Sequence, residues 1–218
     1  MAEFQVVETE GLRYVRVDIQ DEEVRAESGA LSYLRGKIEV STPVPTVGRA
    51  LAATLSDEPW IRPRFRGDGE IYLEPSLGGY HVFDVEDDDW ILENGAYWAS
   101  EGTVDLGLHR EAVITSLFAG EGFIDYQTMV HGRGKVVLNS IGPVEEVRLN
   151  GDEIAVEGKL VIARTTGLEY RVRRPTRFFS FYLSGESLFR TYSGHGKVLL
   201  VKAPYMSQRL MSYMEDQA

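Results

Sequence analysis

Two short words recur three times along the 218-residue chain, in the same order and at nearly the same interval. The first is Val24-Arg25-Ala26-Glu27-Ser28-Gly29-Ala30-Leu31, then Ile91-Leu92-Glu93-Asn94-Gly95-Ala96-Tyr97, then Ile154-Ala155-Val156-Glu157-Gly158-Lys159-Leu160. The second is Gly67-Asp68-Gly69-Glu70-Ile71-Tyr72-Leu73, then Gly132-Arg133-Gly134-Lys135-Val136-Val137-Leu138, then Gly194-His195-Gly196-Lys197-Val198-Leu199-Leu200. Glycines of the first word lie 66 and 63 residues apart, and those of the second 65 and 62. Both words make the first interval three residues longer than the second, an agreement that chance matches would seldom produce. A fixed period of this size marks similar supersecondary units that bury their apolar faces on one another. Units of about 60 residues bury too little surface to stand alone. The spacing therefore predicts one domain over residues 1–218, with pseudo-threefold units at about 1–75, 76–140 and 141–203 sharing a core, and a tail at 204–218.

Within each unit the texture is that of short strands and turns, which predicts an all-β fold, a sandwich or barrel. Asn150-Gly151 between Arg148-Leu149 and Asp152-Glu153-Ile154 carries the signal of a two-residue hairpin turn. A second hairpin is expected from residues 160–163, through Thr166-Gly167, to 169–172. Each Gly-x-Gly precedes a strand-like run, so a tight turn or bulge is expected there. Two segments break the pattern. Thr46 to Leu55 has Val47, Ala50, Leu51 and Thr54 at helical spacing between prolines, and predicts a short inserted helix. Pro204 to Met214 places Met206, Leu210 and Met214 on one face and predicts a C-terminal helix, which would close the core or supply an oligomer contact.

Acidic residues outnumber basic ones 34 to 23, and the formal charge of −11 argues against indiscriminate binding to nucleic acid or anionic membranes. The absence of cysteine removes disulfides, thiolate nucleophiles and thiolate metal sites. Met1-Ala2-Glu3-Phe4-Gln5 lacks the pattern of a signal peptide, and no apolar run is long enough to span a bilayer. A cytoplasmic chain without a transmembrane segment is expected, with peripheral membrane association left open.

His81, His109, His131 and His195 form no metal-binding pair in sequence, so no metal or other cofactor is expected. The Gly-x-Gly words lead into strands where a phosphate loop needs a helix, and Gly185-Glu186-Ser187-Leu188-Phe189 stops short of a hydrolase nucleophile motif. No catalytic constellation emerges, and no enzyme activity is expected. Charge is unevenly spread. Asp84, Glu86, Asp87, Asp88 and Asp89 read as a solvated acidic loop. Arg62, Arg64 and Arg66 alternate as if lining one face of a strand. Arg171, Arg173, Arg174 and Arg177 form a second basic stretch. Both arginine groups are candidate contacts for a partner or a defined anion, and His131, Arg133 and His195 form a candidate loop site at the Gly-x-Gly turns.

Several segments together resemble the altered-inheritance-of-mitochondria protein 24 family. They include residues 48–52, Phe65 to Gly79, Asn94 to Ser100, Leu117 to Phe123, Gly185-Glu186-Ser187 and Gly194 to Val198, in order along nearly the whole chain. Ser41-Thr42-Pro43-Val44-Pro45 departs from the glycine-rich segment expected there, and Ser56-Asp57-Glu58-Pro59 replaces the Gly-Glu-Ser/Gly motif in the first copy. The resemblance implies a fold similar to the tryptophan RNA-binding attenuation protein and brings no catalytic residues. In eukaryotes the family is linked to mitochondrial inner-membrane organisation. The expected role is a homo-oligomeric assembly or scaffold protein that engages a protein partner near a membrane. The alternative is a small-ligand or RNA-binding module using the arginine clusters, although RNA as a partner is disfavoured by net charge. A cupin-like metalloenzyme ranks last for want of histidine pairs.

Overall fold

The computed structural model describes residues 1–43, 62–76, 78–86, 88–113, 123–157, 160–173 and 189–202. Within them every regular element is a β-strand, and the strands form two seven-stranded sheets with antiparallel pairing throughout. The first sheet contains β1 (Glu3–Thr9), β2 (Leu12–Ala26), β3 (Leu31–Ser41), β4 (Arg64–Leu73), β5 (Tyr80–Val85), β7 (Tyr97–Glu101) and β10 (Gly134–Asn139). Its order is β3-β4-β2-β7-β10-β5, with β1 paired alongside part of β2. The second contains β6 (Trp90–Leu92), β8 (Val104–Val113), β9 (Phe123–Gly132), β11 (Val144–Glu157), β12 (Val161–Thr165), β13 (Leu168–Arg173) and β14 (Phe189–Val201). Its order is β11-β14-β12-β6-β9-β8, with β13 on β14. The predicted helices at 46–55 and 204–214 lie outside the described residues.

Among the described residues, the strands of 1–75 belong to the first sheet and those of 141–203 to the second, whereas the strands of 76–140 are divided between them. One of its passages between the sheets is at Gly132-Arg133-Gly134, where β9 of one sheet ends and β10 of the other begins. In the outer copies the same word behaves differently. Gly67 and Gly69 lie inside β4, and Gly194 and Gly196 inside β14, each opposite a bulge in the paired strand at 20–22 or 150–152. The Gly-x-Gly word thus bends a continuous strand instead of reversing the chain. Close approach explains why glycine is needed: a Cβ on Gly67 would lie 2.1 Å from the Lys37 carbonyl oxygen, and one on Gly69 2.2 Å from that of Arg35.

Both predicted hairpins are corrected by the same physics. Gly151, at φ 95°, is the bulge within the single strand β11, because residues 144–157 pair with β14 along their whole length. β12 and β13 run one after the other along β14, so Thr166-Gly167 offsets the strand without turning it back. A positive-φ glycine serves a bulge as well as a turn, and only the pairing partner decides between them. The first word forms a turn in its first two copies. In both Glu27-Ser28-Gly29-Ala30 and Glu93-Asn94-Gly95-Ala96 the alanine N–H donates to the glutamate carbonyl, at 3.1 and 3.0 Å. The glycines take φ of 82° and 75°, as the third position of a type II turn requires.

Among the described residues the buried apolar side chains fall into three clusters. One lies within the first sheet and includes Val15, Val17, Phe65, Ile71 and Val137. Another lies within the second sheet and includes Leu149, Leu168, Tyr192 and Val198. The third joins the sheets through Tyr97, Val136 and Leu138 on one side and Trp90, Leu92, Val130 and Leu199 on the other. β10 shows how alternation serves two clusters at once: Val136 and Leu138 enter the joining cluster, and Val137, on the opposite face, enters the first. Each fully buried side chain of this size contributes about 1.5–3 kcal/mol relative to exposure.

Candidate functional site

The arginine row is where the structure departs most from the sequence pattern. Arg62 precedes β4 and is buried at 7% exposure, whereas Arg64 and Arg66 on the strand are partly and largely exposed. The Arg62 Nε donates to Glu27 Oε2 at 3.2 Å, and its Nη2 donates to Thr128 Oγ1 at 2.9 Å. Its guanidinium carbon lies 4.3 Å from the centroid of the Tyr97 ring, a cation–π contact. Glu27 and Tyr97 belong to the first sheet and its turn, and Thr128 lies on β9 of the second. Arg62 is therefore a cross-sheet tie, not the first of three surface guanidiniums. Burial pushes the Tyr97 hydroxyl up to about 12, with Arg62 acting in the opposite direction.

A second pair occupies the matching place after β6. Arg190 Nη1 donates to Glu93 Oε2 at 2.8 Å, and the Gln127 amide donates to the same oxygen at 3.4 Å. Burial alone would lower the Arg190 pKa, but the Glu93 carboxylate outweighs it and holds the guanidinium above its ordinary value. Tyr192 beside it is raised, again by burial. Gln127 Oε1 is buried without a hydrogen-bond partner. Neither glutamate stands out by composition, yet each sits two residues before the recurring glycine, and that repeated position was the available signal.

Between the sheets, a cavity of about 280 Å³ is lined by Arg25, Pro43, Arg62, Arg64, Leu106, Gly107 and Leu108. Arg25 donates to the carbonyls of Val104 and Gly102 at 3.0 and 2.8 Å, and to Glu23 at 3.2 Å. Arg64 faces Glu23 at 3.6 Å, and Arg66 faces Asp21 at 3.7 Å. Arg171 is exposed and pairs with Glu169 at 2.9 Å. Arg173 ends β13, and Arg174 and Arg177 lie outside the described residues.

The candidate loop residues lie on three different stretches of backbone. His131 is in β9 opposite Asp105, His195 is inside β14 opposite Asn150, and Arg133 is exposed at the sheet crossing. The acidic run is anchored as well as solvated: Lys135 pairs with Asp84 at 2.8 Å and Lys197 with Asp88 at 2.7 Å. Both lysines immediately follow a Gly-x-Gly word. In the first copy that position is Glu70, which instead takes Arg16 at 2.7 Å and Arg35 at 3.4 Å. Among the described residues no group of three or more His, Asp or Glu is placed to hold a metal, and no helix is long and apolar enough to cross a membrane.

Two antiparallel sheets stitched by a shared middle segment, with buried arginine–carboxylate ties, define an all-β protein whose outer copies each keep to one sheet. The chain belongs to the mitochondrial biogenesis AIM24 family, whose model matches residues 4–201. It is 27% identical over 135 residues to an uncharacterized protein of Streptococcus pyogenes serotype M6, a match that takes in 62% of this chain and 54% of that protein. The chain thus matches about half the length of that relative. The fold is shared with another Streptococcus pyogenes protein solved by X-ray crystallography, at a TM-score of 0.72 and 18% identity, with both chains covered in full.

Proposed function

We propose that this chain is a non-enzymatic, homo-oligomeric assembly protein that presents its sheets to a protein partner, in the cytoplasm and near a membrane surface. The observation that carries this reading is β3. It ends the strand order of the first sheet, runs for 11 residues and leaves most of its length exposed, with Tyr33 at 54% and Val40 at 50%. A long edge strand with apolar side chains is a template for another strand. Its Arg35, Lys37 and Glu39 keep the edge selective by charge. An attenuation-protein-like arrangement of three sequence units belongs to the same proposal.

Binding of RNA has less support. Arg62 is buried, and Arg64, Arg66 and Arg171 each face a carboxylate of their own chain. Among the described residues, these four arginines offer little uncompensated charge to a phosphate backbone. Size-exclusion chromatography with light scattering tests assembly. A discrete multimer is expected, and Val40→Lys should dissociate it without lowering the thermal midpoint of the subunit. A strict monomer at high protein concentration overturns the reading.

A further inference from the structure

We propose that two copies of this chain join edge to edge through β3, antiparallel about a twofold axis at Ile38, so that Lys37 of each copy faces Glu39 of the other. The pairing rests on the assembly reading and commits its β3 contact to a second copy of the chain, in one register.

The charge order of β3 and its pairing within one chain set that register. β3 stands at the end of the first sheet's order and takes β4 on one side. Across that ladder Arg35 lies opposite Glu70, Lys37 opposite Asp68 and Glu39 opposite Arg66, so these exposed charges of β3 each face an opposite charge on β4. A strand that pairs with its own copy about a twofold axis keeps each face of the sheet on its own side, which requires one residue to meet itself. With that residue at Ile38, residues 35–41 of both copies overlap. The two Lys37–Glu39 contacts then extend the ladder as Asp68, Lys37, Glu39, Arg66 across four strands, with the sign alternating at every step. Axes at residues 35, 37 and 39 would set Arg35, Lys37 and Glu39 against themselves, and one at residue 36 would set Arg35 against Lys37. Like charges directly opposite destabilise a strand pair.

The other face of β3 agrees with the same axis. Leu34 and Ile38 pack against the apolar cluster of the first sheet, so Ile38 meeting its own copy joins that cluster to its counterpart. Val40, at 50% exposure, comes opposite Gly36, which has no side chain to obstruct it. Main-chain hydrogen bonds of the added strand supply affinity, and the side chains select the partner.

The chain contains no cysteine, so a single introduced thiol reports the register. Residues directly opposite lie within about 5.5 Å at Cα, inside disulfide reach, whereas Val40 and its copy would stand about 14 Å apart. Mild oxidation of full-chain Ile38→Cys is expected to give a disulfide-linked dimer, and Val40→Cys none. In light scattering, Lys37→Glu and Glu39→Lys should each weaken self-association at least tenfold, and an equimolar mixture of the two should restore it, because each then meets the opposite charge in its neighbour. Cross-linking of Val40→Cys as complete as that of Ile38→Cys, or self-association unchanged in Lys37→Glu, overturns the β3 pairing. A multimer that persists in Lys37→Glu leaves the assembly reading standing on another surface, whereas an unsubstituted chain that stays monomeric overturns both.

Discussion

Glu27–Arg62 and Glu93–Arg190 are built from the same sequence word and the same turn, yet they do different work. The carboxylates are almost equally covered, at 16% and 13% side-chain exposure, whereas the arginines are 8% and 20% exposed. Arg62 reaches across to Thr128 and lies over Tyr97, so its pair ties one sheet to the other. Glu93, Arg190 and Gln127 all belong to the second sheet or its turn, and the Gln127 carbonyl oxygen is left unsatisfied. The lesson is that a repeated ion pair becomes an interface element only when the third partner comes from another sheet.

The largest effect should come from removing one member of each pair. Arg62→Ala removes the ion pair with Glu27, the cation–π contact with the Tyr97 ring and the hydrogen bond to the Thr128 hydroxyl, a loss of about 3–5 kcal/mol. Arg190→Ala should cost less, about 2 kcal/mol, because solvent already reaches that guanidinium and can take over some of the solvation of Glu93. Urea unfolding of both variants measures the gap, and equal losses would break the distinction between a cross-sheet tie and a pair within one sheet.

Next in size are the neutral partners. Thr128→Val removes a 2.9 Å buried bond from Arg62 and should cost about 1–2 kcal/mol. Gln127→Leu gives up a 3.4 Å bond but also removes the orphaned acceptor, so its net change should stay within about 0.5 kcal/mol. A Gln127→Leu loss as large as that of Thr128→Val would show that the second pair depends on its amide as the first depends on its hydroxyl.

The finest test is in alkali. Tyr97 has its pKa raised by burial from 10.0 to about 12, so the unfolded chain gives up this proton first. Its contribution is complete below pH 10 and is lost as pH rises from there through about 12. Tyr97→Phe should flatten that part of the stability curve. An unchanged alkaline slope would remove Tyr97 from the account of the Arg62 tie.

How much of this could be read from residue order varies by element. Strand texture, the recurring turns and the family were visible because they depend on local alternation and on glycines needing positive φ. Asn150-Gly151 and Thr166-Gly167 have the chemistry of hairpins yet form bulges, because glycine serves both and the difference lies in a partner strand tens of residues away. The arginine row failed for a related reason. Period-two spacing extends only as far as the strand does, and β4 starts at Arg64, which leaves Arg62 free to turn inward. Glu27 and Glu93 carry no sequence mark of burial, because an acidic residue before a turn glycine is the same whether solvated or paired with a distant arginine.

By itself, the amino-acid sequence determined an all-β chain with three copies of two words, since side-chain alternation and backbone torsions are properties of a few neighbouring residues. Only the tertiary structure decided that the described strands of the middle segment are shared between two sheets, that one apolar cluster joins those sheets, and that equivalent glutamates meet arginines from different places. Those outcomes rest on pairings between distant strands, in which burial turns the same residue from a solvated charge into a tie.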